Sequence, residues 1–215
     1  LHTADNSTLV YDNGEPFRGV GINLCWESRT NDDSKFFKAL HEQHDRFSYD
    51  VMLPDFAANG GNFTRMWMCS WNFPIDRKDR FNNHRYTATA EYMNPSAVSH
   101  LDEVIRLAED LDIKIMLCMG QGDVRANRGF FNDEDAKARY RNYLRYIVAR
   151  WGYSPAIGMW EFFNEIDNIQ HRDRNGVIPA AEIVAWHDQM STYLKGIDPF
   201  QHIRTTSISH RDLEG

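Results

Sequence analysis

Short apolar segments alternate with amphipathic ones along almost the whole chain, and this alternation constrains the fold more than any single residue does. Residues 17–23, 62–68, 113–118, the run from Ile157 to Asn164-Glu165, and 202–208 read as strands, with 9–11 as a small antecedent one. Between them, residues 49–58 form a helix stopped by Asn59-Gly60-Gly61. Asn94 and Pro95 open a second, whose apolar residues Val98, Leu101, Val104, Ile105, Ala108 and Leu111 keep helical spacing. Asn132 or Asp133 opens a third, with Tyr140, Tyr143, Leu144, Ile147, Val148 and Trp151 on one face and Gly152 and Pro155 at its end. A fourth, 180–195, carries Ile183, Val184, His187, Met190 and Leu194 inward and stops at Gly196. Apolar strands joined by amphipathic helices call for a parallel sheet covered by helices, because a parallel crossover needs such a connection and buries both sheet faces. The fold class is α/β.

The connections are unequal. Helix-to-strand links are short (59–61, Asp112, 152–156, 196–201), whereas strand-to-helix links are long (24–48, 69–94, 119–132, 166–179). Long loops in a compact domain are usually functional, and these all leave the carboxyl ends of strands, the face that barrel enzymes and open doubly wound sheets use. No glycine-rich phosphate fingerprint follows the first strand, so a nucleotide fold loses support. The loops carry Trp26, Glu27, Trp67, Trp71, Phe73, Phe81, His84, Tyr86, Gln121, Asp123 and Arg125. Planar apolar faces interleaved with carboxylates, amides and cations suit a sugar, whose C–H faces stack on rings while its hydroxyls need fixed partners. The plainer reading is that these aromatics pin the long loops to the rim.

Composition narrows the classes. A chain of 215 residues that is 42% hydrophobic can bury a sizeable core. The net charge of −7 gives no basic field for a nucleic acid. No apolar run approaches the ~18 residues of a membrane span, and Leu1 begins in a polar segment without a signal peptide's pattern. The three cysteines, Cys25, Cys69 and Cys118, match no zinc spacing and read as small buried residues. His41, His44, His84, His171 and His210 form no ligand motif, so neither metal nor cofactor is expected.

Three motifs then carry a resemblance: 61–67, Gly-Asn-Phe-Thr-Arg-Met-Trp; 146–155, Tyr-Ile-Val-Ala-Arg-Trp-Gly-Tyr-Ser-Pro; and 160–165, Trp-Glu-Phe-Phe-Asn-Glu, followed by Asp198-Pro199-Phe200 and Thr205-Thr206-Ser207. In this order they resemble the cellulase and mannanase-type glycoside hydrolases of clan A, over nearly the whole chain. The resemblance implies a (β/α)8 TIM barrel of which residues 1–215 supply strands one to five and four helices, and hydrolysis of β-linked polysaccharide with retention. It implies Glu165 as general acid/base, Asn164 as partner of the sugar 2-hydroxyl, and Arg65 as the arginine that orients and keeps ionised the nucleophilic carboxylate. Trp26, Glu27, Trp67, Trp71 and Gln121 are the expected substrate contacts. A general acid must hold a proton near neutral pH although free Glu ionises near ~4.3, which a neighbouring carboxylate and partial burial would favour.

Two departures stand out. The clan's nucleophile is a glutamate ending the seventh strand, and no residue here matches it; Glu27 and Glu214 do not inherit the role. Roughly three β/α units are therefore expected from residues beyond this sequence. Met119-Gly120-Gln121 also stands where cellulases often place a histidine. Arg65-Met66-Trp67 leans toward mannanase-like members. The partner expected is a β-glycan, and the family resemblance suggests a secreted or periplasmic protein. The alternative is a non-catalytic carbohydrate-binding barrel or an inactive fragment.

Overall fold

The computed structural model describes residues 1–5, 7–27, 48–69, 72–76, 93–120, 127–171, 176–209 and 212. Strands β1 (His2–Thr3) and β2 (Leu9–Val10) form a small antiparallel pair. Five further strands, β3 (Gly21–Ile22), β4 (Phe63–Trp67), β5 (Lys114–Cys118), β6 (Ile157–Glu161) and β7 (Ile203–Thr205), lie side by side in chain order and all parallel. Helices α1 (Tyr49–Ala58), α2 (Pro95–Asp110), α3 (Arg128–Asn132), α4 (Glu134–Trp151), α5 (Ile166–Gln170) and α6 (Ala180–Ile197) lie between them in sequence. The parallel α/β order is the one the alternation predicts, and the architecture is that of a partial (β/α) barrel, as the resemblance implies.

Local chemistry sets the helix ends. The Asn94 side chain accepts from Ser96 N at 3.2 Å in front of Pro95, whose missing N–H costs nothing in the first turn. Asp133 Oδ1 accepts from Ala136 N at 2.8 Å, deciding between the two expected openings of α4, and Glu134, Asp135 and Arg150 complement that helix's dipole. After α1 the chain reverses at Gly60, whose φ of +83° suits a residue without a side chain.

The core lies between sheet and helices. The expected faces of α2 and α4 are buried, Leu111 being half-buried. In α6 the inward stripe is Ile183, Trp186, Met190 and Leu194. Val184, expected inward, is 58% exposed, because it lies one 100° step off that stripe, and His187 is half-buried. Gly196 does not end the helix, which continues to Ile197. Trp186 instead gathers Phe130, Phe131, Tyr140 and Phe163 at centroid distances of 4.8–5.6 Å. Two expected long loops contain the short helices α3 and α5.

All the expected strands are shorter in the structure, and β3, β6 and β7 are much shorter. Around β3 side chains take over part of the ladder: Asn62 Oδ1 accepts from Val20 N and Asn62 Nδ2 donates to Arg18 O, while Thr64 Oγ1 accepts from Leu24 N and donates to Ile22 O. Strand β6 ends at Glu161, four residues before Glu165, and β7 keeps three residues. Beyond Glu161, Phe162 and Phe163 turn away to pack on Trp186, so their apolarity belongs to the helix layer and not to the sheet.

Candidate active site

Strand register levels the rim. Trp67 pairs with Cys118, Cys118 with Glu161, and Glu161 with Thr205, so the segments following four strands emerge at one height. On β4, Thr64 and Met66 are fully buried, whereas Phe63, Arg65 and Trp67 occupy the other face and are half-buried.

Arg65 organises this face. Its Nε donates to Glu161 Oε2 at 2.6 Å and its Nη2 to Glu161 Oε1 at 2.6 Å, a two-pronged ion pair. Nη2 also donates to Asn164 Oδ1 at 2.8 Å and to Ser207 Oγ at 3.2 Å. Burial works against the Arg65 cation, but the bonds and charge of Glu161 outweigh it and raise its pKa. The guanidinium carbon sits 5.4 Å from the centre of the Trp67 ring, and Trp67 lies 4.8 Å from Trp26 at a 40° tilt. The cysteines flank the pair: burial pushes Cys25 up to about 11 and Cys118 well above its usual value, helped for Cys118 by the nearby Glu161 charge.

Glu165 sits on the loop after β6 in left-handed backbone, φ 52° and ψ 61°, which a non-glycine residue adopts only when its surroundings enforce it. The enforcing bonds come from both neighbours. Asn164 N donates to Gly120 O at 2.8 Å, Glu165 N to Ser207 Oγ at 2.9 Å, and Ile166 N to Ser207 O at 3.0 Å. Asn168 Nδ2 donates to Glu165 Oε2 at 2.9 Å. Gly120 is required here, since a Cβ would fall 2.7 Å from Phe162 O and 2.8 Å from the Phe163 ring.

Arg65, Asn164, Glu165, Trp67 and Trp26 are therefore brought to one region by direct contacts or shared partners. One expectation is corrected: the carboxylate at the tip of β6 is Glu161, with Glu165 beyond it on the loop. Arg65, expected beside the nucleophile, grips Glu161 within this chain. Glu27 stands apart from the sugar-binding expectation: its Oε1 accepts from Tyr49 N at 2.8 Å at the start of α1 and its Oε2 lies 2.9 Å from His100 Nε2 of α2. Both oxygens serve the scaffold. Trp71 and Gln121 lie outside the described residues, as do Phe81, His84, Tyr86, Asp123, Arg125 and Glu214. Among the described residues, no group of three or more His, Cys, Asp or Glu is placed to hold a metal ion, and no helix is long and apolar enough to cross a membrane.

Glu161 and Ser207 lie within the sequence motifs but had no role assigned there, and Asn72 lies in none of them. A lone carboxylate in a buried strand needs a partner, and that signal was present for Glu161. Asn72, fully buried, donates to Trp67 O, Tyr49 Oη and Cys25 O, tying three segments of the rim; nothing in its sequence context announces this.

The model of the cellulase family, glycosyl hydrolase family 5, matches residues 10–209. Mannan endo-1,4-beta-mannosidase A of Podospora anserina is 24% identical over 164 residues, which are 69% of this chain and 42% of that protein. The endo-1,4-beta-mannanase structure from Rhizomucor miehei covers 97% of this chain with a TM-score of 0.66 at 17% identity, and the beta-mannanase from the blue mussel Mytilus edulis covers 94% with 0.65 at 17%; this chain spans 61% of each. These structures share its fold, and the chain spans less than half the length of the curated relative. On the extent of the family match, the chain belongs to the cellulase family of glycoside hydrolases, glycosyl hydrolase family 5.

Proposed function

We propose that this chain carries the acid/base half of a retaining β-mannan hydrolase. The observation that carries the reading is the shared anchor Ser207, whose Oγ takes both Glu165 N and Arg65 Nη2 and so couples the left-handed backbone of Glu165 to the Arg65–Asn164 pair. Glu165 protonates the departing sugar oxygen and later, as carboxylate, activates water against the glycosyl-enzyme. Asn164 hydrogen-bonds the 2-hydroxyl, and Trp26 and Trp67, with Trp71 and Gln121, form the platform for the sugar rings. Glu161 is committed to Arg65 and is not the nucleophile; this reading gives that role to a glutamate outside residues 1–215, as the resemblance implies. It would meet Arg65 through Nη1, the nitrogen that the bonds to Glu161, Asn164 and Ser207 do not use. Mannan as substrate rests on the named activities of the relatives and on Arg65-Met66-Trp67. A polymeric substrate places the enzyme outside the cytoplasmic membrane, in the medium or periplasm.

The test is to assay the complete gene product on β-mannan, β-glucan and xylan, with Glu165→Gln beside it. Mannan hydrolysis that Glu165→Gln abolishes is expected. Undiminished hydrolysis by the variant refutes the assignment, and oligosaccharide binding without turnover in the complete protein favours a non-catalytic binding barrel.

A further inference from the structure

We propose that Glu161 is a positioning residue that fixes the polarity of the Asn164 side-chain amide through Arg65, an inference that rests on the function proposed above and deepens it. A guanidinium has donors only, so the Asn164 atom 2.8 Å from Nη2 must be the oxygen, and the amide NH2 is turned away from Arg65 as a donor. That choice is no more secure than the arginine's own orientation. Oxygen and NH2 of an asparagine are nearly the same size, and a guanidinium that rolled about its long axis would remove the preference.

Glu161 prevents the roll. Both its oxygens meet Arg65 at 2.6 Å, which sets the guanidinium plane, where a single bond would set only a distance. The carboxylate is itself immobile: Glu161 is 1% exposed and ends a strand registered on both sides, against Cys118 and Thr205. Ser207 Oγ closes the arrangement on the side of Glu165. A buried ion pair is a poor source of stability compared with apolar packing of the same volume. Its geometric result here is an amide presenting a donor, beside Glu165, to a sugar hydroxyl oxygen.

The experiment uses the complete gene product, with an aryl β-mannoside and its 2-deoxy counterpart as probes. Glu161→Gln keeps the shape but puts an NH2 against Arg65, losing one prong. The expected result is a roughly ten- to hundredfold fall in kcat, the size of one charge-assisted hydrogen bond. KM should change by less than about threefold, and the preference for the 2-hydroxy over the 2-deoxy substrate should shrink by a similar factor. A merely structural Glu161 would lower the melting temperature and leave that preference intact, which overturns the inference. Should Glu161→Gln fail to fold, Glu161→Asp keeps the charge but withdraws it by one methylene; wild-type selectivity in that variant overturns the inference equally. An inactive Glu165→Gln beside a fully active Glu161→Gln removes this inference alone, whereas mannan hydrolysis by Glu165→Gln removes the proposed function beneath it.

Discussion

Asp198→Asn probes how the end of α6 is fastened to the sheet. Asp198 is buried to 1%, and four donors converge on its two oxygens: Phe200 N on Oδ1 at 3.1 Å, and His202 N at 2.9 Å, Trp160 Nε1 at 3.1 Å and His202 Nδ1 at 2.9 Å on Oδ2. Trp160 belongs to β6 and His202 precedes β7, so one carboxylate joins α6 to two strands. Asparagine must present an NH2 to at least one of these donors. If it replaces Oδ1, the Phe200 bond is lost; if it replaces Oδ2, the bonds to Trp160 and the His202 backbone go.

Losing one bond to a charged acceptor costs about 1.5–3 kcal/mol, and stranding a buried donor adds about 1 kcal/mol or more. A total of about 2.5–4 kcal/mol lowers the melting temperature by roughly 5–16 °C for a chain of this length. Circular dichroism melts at neutral pH measure it. Burial alone would raise the Asp198 pKa, but its bonds to His202 and Trp160 prevail and hold it below the usual carboxylate value. A depressed carboxyl stabilises the fold above its unfolded value of ~3.9 and loses that contribution as pH falls through the lower folded value, so the gap between protein and variant should narrow in acid. A variant melting within about 2 °C of the parent at neutral pH, or a gap that widens below pH ~3.9, refutes this reasoning.

Two further outcomes follow from the same geometry. Gly120→Ala places a methyl 2.7 Å from the Phe162 carbonyl, which belongs to the backbone leading to Glu165. It should cost about 1–3 kcal/mol in thermal unfolding and depress activity more than stability predicts, and an alanine variant with parental melting and turnover contradicts the tight approach. Cys25, pushed up to about 11 by burial, should resist alkylation by iodoacetamide at pH 7 and react faster as pH rises toward that value, as followed by mass spectrometry; rapid labelling at neutral pH contradicts it.

Periodicity and caps made the helices legible. Helix α1 ends where Asn59-Gly60-Gly61 requires, and Asp133 and Pro95 mark the starts of α4 and α2. The parallel order of five strands followed from the alternation itself. Strand ends were less legible because side chains compete for the ladder, as Asn62 and Thr64 do beside β3, and because apolar residues serve two layers, as Phe162 and Phe163 do. Trp186 was hidden for a related reason: in an apolar helix, Val184 fits a face about as well on paper, and only packing against α4 decides. In the candidate site, Arg65, Asn164 and Glu165 were visible as a motif. Their coupling through Glu161 and Ser207 spans separations of 96 and 142 residues from Arg65, which no local pattern reports.

The most direct test of the central claim compares Glu165→Ala on two substrates in the complete gene product: β-mannan, whose leaving alkoxide needs a proton, and an aryl β-manno-oligosaccharide with a dinitrophenolate leaving group, which does not. A general acid at Glu165 predicts a loss of about 10²–10⁴-fold on mannan with glycosylation by the activated substrate far less affected. Equal losses on both substrates, or none on mannan, would contradict it.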